Sequence, residues 1–205
     1  MLTRKGRIVT IEGVDAVGKR TQSLLLQTWF KRQGLKTASL SFPDYGTPIG
    51  KEIKAFLAGR RAFGAEVRHI LFAANRWEEL SLIKEYQKVN DVVIVNRYTE
   101  SNLAYGIANG LRLKWLLALE EGVPKADLVV VLDAPSKSLV SRRPGLKDSY
   151  EKDLELQTRV QTIYKELAAK FGWTVVDGSG NVRSVHNAII RAIKVGLGTE
   201  LRLKR

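Results

Sequence analysis

The stretch Gly13-Val14-Asp15-Ala16-Val17-Gly18-Lys19 has the spacing G-x-x-x-x-G-K and directly follows the apolar run "RIVTIE". Glycines at both ends let backbone N–H groups turn inward, and the lysine sets an ammonium at the mouth of that turn. With the positive end of the following helix, this makes a cradle for the phosphates of a nucleotide. One position departs from the pattern. The full motif continues with Ser or Thr, whose hydroxyl binds Mg²⁺, whereas this chain has Arg20. Thr21 lies one residue on and is rotated by about 100° around the helix, which makes it a poor replacement. Asp15, inside the loop, is the carboxylate left for the metal. The candidate nucleotide-binding segment is thus Gly13, Val14, Asp15, Ala16, Val17, Gly18, Lys19, Arg20 and Thr21.

Composition narrows the remaining chemistry. Without cysteine there is no disulfide, thiolate metal site or cysteine nucleophile, and two histidines, His69 and His186, argue against a histidine metal centre. The formal net charge of +13 asks for an anionic partner. Lys and Arg are scattered through the helices and the tail "RAIKVGLGTELRLKR" and do not interleave with aromatics as single-strand-binding surfaces do. Phosphorylated small molecules are therefore expected rather than nucleic acid. No apolar run is long enough to span a bilayer, and "MLTRKGRIVTIEG" reads as a first strand, not a signal peptide. The expectation is a cytoplasmic protein with no membrane association.

The elements that must position these residues alternate along the chain. "RIVTIE" precedes a helix over Lys19 to Gln33, "TASLSF" one over Pro48 to Ala58, and a long helical segment runs from Ala65 to Val89. "DVVIVN" precedes a helix over Glu100 to Asn109, "DLVVVLDA" one from about Tyr150 to Phe171, and "WTVVD" a last one over Val182 to Val195. Short Val/Ile-rich strands separated by helices predict a parallel sheet covered on both faces. No linker or repeat divides the 205 residues, so a single domain is expected, with its chemistry in loops beyond the carboxyl ends of the strands.

Further motifs follow: Phe42-Pro43-Asp44-Tyr45-Gly46 after a strand, "LFAANRWEE" in the long middle helical segment, Asn96-Arg97-Tyr98 after another strand and followed by "TESNLAYG", and Asp148-Ser149-Tyr150-Glu151 near the expected lid. In this order, together with "EGVDAVGKRTQ", they resemble the thymidylate kinases, P-loop enzymes that phosphorylate dTMP to dTDP with ATP. The likeness runs in register from Ile8 to about Ala168. It is strongest to bacterial and archaeal members that also carry Arg after the loop lysine, in which a loop aspartate takes over much of the metal and acceptor handling. The resemblance implies a three-layer α/β/α P-loop fold with a five-stranded parallel sheet and a short lid over about residues 136–150. It also implies ATP and Mg²⁺, and a homodimer to whose interface "LKWLLALEEG" is a candidate contributor.

Site residues follow position by position. Phe72 and Arg76 lie four apart on one helix face; the family's matching residues stack on thymine and hydrogen-bond its O4 edge. Asn102 and Tyr105 lie three apart; the resemblance implies that Asn102 touches the base and that Tyr105 packs by the deoxyribose and disfavours a 2′-hydroxyl. Phe42 and Pro43 would line the base pocket. Tyr45 and Arg97 would meet the acceptor phosphate, the latter through its guanidinium fork, and Tyr150 belongs to the same dTMP-binding set. Arg142 and Arg143, with Lys147, form the expected lid and join Asp15, Lys19 and Arg97 as the catalytic set. Asp148 and Glu151 match acidic positions near metal and sugar. Asn96 departs from the family's usual Asp-Arg. It keeps one acceptor oxygen but loses the charge, and charge-assisted bonds of about 1.5–3 kcal/mol predict a loss of tenfold or more in turnover. Two readings compete on these residues. One is a kinase for another monophosphate such as dUMP; the other is a nucleotide-binding protein with weak catalysis, motivated by Asn96 and Arg20.

Overall fold

The computed structural model describes residues 6–135, 139, 153–201 and 203. Strands β1 (Arg7–Gly13), β2 (Thr37–Ser41), β3 (Val92–Asn96), β4 (Leu128–Asp133) and β5 (Thr174–Asp177) make one parallel sheet in the order β2-β3-β1-β4-β5. Among the described residues the helices are α1 (Lys19–Arg32), α2 (Pro48–Leu57), α3 (Ala65–Glu78), α4 (Leu80–Val89), α5 (Thr99–Ala108), α6 (Leu113–Leu119), α7 (Leu154–Phe171) and α8 (Val182–Leu201). The period of two in β1 sorts its side chains between the layers. Val9 and Ile11 pack with Leu26 and Phe30 of α1, while Ile8 packs with Ile83 of α4 on the opposite face. Each such side chain, fully buried, contributes roughly 1.5–3 kcal/mol. The result is the expected three-layer P-loop architecture.

Strand order also makes the crevice. β1 is bonded to β3 on one side and β4 on the other, with Ile11 opposite Asn96. The chain leaves β1 for α1 on one face and leaves β3 for α5 on the other. Their two loops therefore diverge at a switch point, where a ligand fits between them.

Four element assignments differ from the sequence-based expectation. The segment Ala65–Val89 is two helices, parted at Glu79 (φ −93°, ψ 8°) with no glycine or proline to announce it. At the end of α3, Asn75 Oδ1 accepts from Asp44 N at 2.8 Å, tying the helix to the turn after β2. α6 forms where only an apolar stretch was read, and α8 continues past Val195 to Leu201. α7 begins at Leu154 rather than Tyr150, because Asp153 Oδ1 accepts from Leu156 N at 2.8 Å as its N-cap. Apart from Leu139, the expected lid at about 136–150 lies outside the described residues.

Candidate active site

The loop after β1 turns as its sequence requires. Gly13 has φ 129°, and a Cβ there would lie 2.4 Å from Leu132 O. Gly18, at φ 104°, is the N-cap of α1 and brings no side chain to the first turn, which also lacks an acidic residue. The first N–H groups of that helix are thus available to an anion. Val14 and Val17 bury their side chains in the core, so only their backbone faces a nucleotide. Ala16 also adopts left-handed backbone, φ 62°. Lys19 is 7% exposed and donates from Nζ to Gly13 O (3.0 Å) and Val14 O (2.7 Å). Arg20 and Thr21 are exposed.

Beside this loop opens a cleft of about 370 Å³, within the range of small-ligand sites. It gathers Asp15, Arg20, Phe42, Pro43, Tyr45, Phe72, Arg76, Asn96, Arg97, Asn102 and Tyr105 from loops and helices far apart in sequence. At its mouth Arg97 has φ 61°, an uncommon conformation for a long side chain and one that marks a functional position. Its guanidinium pairs with Asp15 Oδ1 and stands 5.3 Å from the centre of the Tyr105 ring. Asp15 Oδ2 accepts from Tyr105 Oη (3.1 Å) and Gln157 Nε2 (2.9 Å), and Lys19 Nζ lies 4.0 Å from Oδ1. Burial by itself raises the Asp15 pKa, but Arg97, then Lys19, and the bonds from Tyr105 and Gln157 outweigh it. Together they hold the carboxyl well below the usual range. Burial pulls the Arg97 pKa down, and the charge of Asp15, together with Tyr105, Tyr164 and Glu12, more than reverses this. Both groups stay ionised.

Behind them, Glu12 accepts from Tyr98 N (2.6 Å), Ser101 Oγ (2.6 Å) and Tyr164 Oη (2.8 Å), fixing the turn that carries Arg97. Asn96 Nδ2 donates to Ser41 Oγ at 2.8 Å, while its Oδ1 is buried without a hydrogen-bond partner among the described residues. At the far end of the cleft, Phe72 is half-buried, and Phe42 tilts over Tyr98 at 5.9 Å. Arg76 is buried and donates from Nε to Glu120 Oε2 (2.9 Å) and from Nη2 to Oε1. Tyr45 sits 40% exposed at the rim.

Asn102 lines the cleft and bonds to protein groups there. Its Oδ1 meets His69 Nδ1 at 2.7 Å, and its Nδ2 donates to His69 O (3.2 Å) and Glu120 Oε1 (2.8 Å). A buried amide takes the partners that saturate it, and here those belong to the protein. Arg142, Arg143 and Tyr150, with Lys147, Asp148 and Glu151, lie outside the described residues. Sequence reasoning missed Gln157 and Glu120. Gln157 is one polar residue in a polar helix, and Glu120 sits in a stretch read only for its apolar residues, so neither had a local signal.

The model of the thymidylate kinase family matches residues 11–189. The chain belongs to the thymidylate kinase family. It is 37% identical over 204 residues to a probable thymidylate kinase of Thermococcus kodakarensis, covering 94% of this chain and 99% of the relative. With the thymidylate kinase of Dictyostelium discoideum it shares 34% identity over 189 residues, 92% of this chain and 85% of that protein. The solved thymidylate kinase of Candida albicans superposes with a TM-score of 0.84 at 28% identity, covering 98% of this chain and 96% of that one. Membership makes the chain a phosphotransferase of the thymidylate kinase kind. The readings as a kinase for another monophosphate or as a weakly catalytic binding protein gain no support from these likenesses.

Proposed function

We propose that the protein transfers the γ-phosphoryl group of ATP to dTMP, giving ADP and dTDP. The observation that carries this reading is the position of Arg97 and Asp15. Their pair stands where the phosphate-binding turn opens into a cleft whose other end holds Phe72 and the donors of Arg76. A monophosphate lying along that cleft, base inward, would present its phosphate to Arg97 and to a triphosphate held at Lys19. An oxygen of dTMP then attacks the γ-phosphorus as the bond to the β-phosphate oxygen breaks. The attacking group is already anionic, so no protein nucleophile is needed and catalysis is positioning plus charge stabilisation.

Magnesium fits the residues present. Among the described residues no cluster of three His, Cys, Asp or Glu could hold a metal, which suits an ion that keeps its waters and arrives on nucleotide phosphates. Asp15 and the unpartnered Oδ1 of Asn96 would hold it, and when bound it supplies charge neutralisation at the phosphates. Lys19, on loop carbonyls, would transfer its donors to the phosphates; Arg97 would aim the acceptor.

The reading extends to a single domain with a lid over about 136–150 carrying Arg142 and Arg143, with Tyr150 beside the monophosphate, and to a cytoplasmic homodimer. No helix among the described residues is long and apolar enough to cross a membrane. For the dimer, Val67, Ile70 and Trp77 are exposed on α3, which packs against α6, apolar side chains of the kind that mark an interface. Ile70→Glu is expected to convert a dimer to a monomer in light scattering; a monomeric wild type removes the dimer. The catalytic reading is tested by coupled detection of ADP from ATP and magnesium with and without dTMP. Turnover should require dTMP, and equal rates with dCMP or dGMP would refute thymine selectivity.

A further inference from the structure

At the closed end of the cleft, three helices contribute four buried polar side chains: His69 and Arg76 from α3, Asn102 from α5, and Glu120 from the C-terminus of α6. Their bonds run in one line. Asn109 Nδ2 meets His69 Nε2 at 3.1 Å, and His69 Nδ1 meets Asn102 Oδ1 at 2.7 Å. Asn102 Nδ2 donates to Glu120 Oε1 at 2.8 Å, and both Glu120 oxygens accept from Arg76. Since Asn109 donates to Nε2, the histidine proton sits on Nδ1. Burial lowers the His69 pKa to about 4, so the ring stays neutral and the direction of the line is fixed.

Two consequences follow for Arg76, which lines the cleft. Its Nε and Nη2 are committed to Glu120, so the Nη1 edge is left to a ligand. Its charge is also balanced, so the pocket does not demand an anion and suits a neutral base. A guanidinium only donates. It matches a ring carbonyl and opposes an exocyclic amino group at the same place.

We propose that Glu120, locked by Asn102, is the positioning residue that makes Arg76 a reader of the carbonyl at the 4-position of a pyrimidine. Without the carboxylate, the guanidinium is free to pivot and loses its fixed donor direction. Asn102 then bears on Arg76 through Glu120. The proposal rests on the dTMP reading above and adds two residues to it.

The test uses the full-length enzyme at saturating ATP, with dTMP and dCMP as acceptors and thermal unfolding measured alongside. Glu120→Gln keeps the shape and removes the charge. A weakened charged bond there should raise KM for dTMP about tenfold, with kcat within about threefold, and lower the dTMP/dCMP ratio of kcat/KM by about tenfold. Glu120→Asp should recover part of the ratio. Asn102→Ala, which leaves Arg76 and Glu120 in contact, should lower it by about threefold. A merely structural role would lower the unfolding temperature and leave the ratio unchanged. If wild type prefers dTMP and the folded variants keep that preference, the inference fails alone; if wild type does not use dTMP, the functional reading fails and takes the inference with it. Should Glu120→Gln not fold, Asn102→Ala decides, and an unchanged ratio there overturns the proposal.

Discussion

At the mouth of the cleft, the charged groups bond to partners that a phosphate can replace: Lys19 to loop carbonyls, Arg97 to Asp15. At its closed end, Arg76, Glu120, Asn102 and His69 bond to one another. The first set stands where the loops after β1 and β3 end, Lys19 as the first residue of α1, and the second on helices or, for Glu120, at a helix C-terminus. The difference teaches which groups change partners during turnover. Phosphoryl transfer needs cations that pass from protein acceptors to substrate oxygens, so they stand at loop ends with exchangeable contacts. Reading a neutral base needs donors that do not move, because a donor free to rotate meets carbonyl and amino groups alike.

The sharpest way to break this contrast is at the mouth. Lys19→Met removes the ammonium over the triphosphate and is expected to lower kcat by about 10³-fold while KM for dTMP changes little. Steady-state kinetics checks it, and a change confined to KM would mean that the two ends are not separate in function.

Beyond base selectivity, the closed end should also appear in stability. His69 has its pKa lowered from 6.5 to about 4, first by burial, then by the neighbouring charges of Arg68 and Arg76, against a raising bond from Asn102. The unfolded chain therefore binds a proton that the folded one refuses. The stability is present in full above pH 6.5 and is lost as pH falls from there toward about 4, roughly 3 kcal/mol in all. Urea unfolding across that range should show the decline, and His69→Gln should flatten it. An equal slope in the variant would place the titration elsewhere.

A smaller effect sharpens the picture of the mouth. The unpartnered Oδ1 of Asn96 marks a place where a carboxylate oxygen would add charge beside Asp15 and Arg97. Asn96→Asp should raise kcat about tenfold, the scale of one charge-assisted bond. No gain would show that Asp15 alone supplies the needed charge.

The phosphate-binding turn was legible because its chemistry is local: Gly13, Gly18 and Lys19 act through backbone shape and one helix end, all within a short stretch. The parallel sheet was legible because buried strands must be continuously apolar. The break at Glu79 was not, since nothing local marks it and the last turn of α3 is tied through Asn75 to Asp44, far away in sequence. Gln157 was hidden for the same reason. It reaches Asp15 only because α7 packs against α5. Asn102 shows the limit most clearly. Its spacing from Tyr105 put both on one helix face and the family resemblance put that face at the base, where both line the cleft, but neither says which partners an amide takes.

From residue order alone came the fold class and the phosphate-binding turn, because periodicity and glycine spacing are properties of neighbours; the side chains expected along one cleft came from the family resemblance of the motifs. Packing decided what each polar atom in that cleft bonds to. Asp15 holds Arg97, Glu120 holds Arg76, and Asn102 faces inward, since a buried donor or acceptor takes whichever partner the surrounding helices bring within about 3 Å.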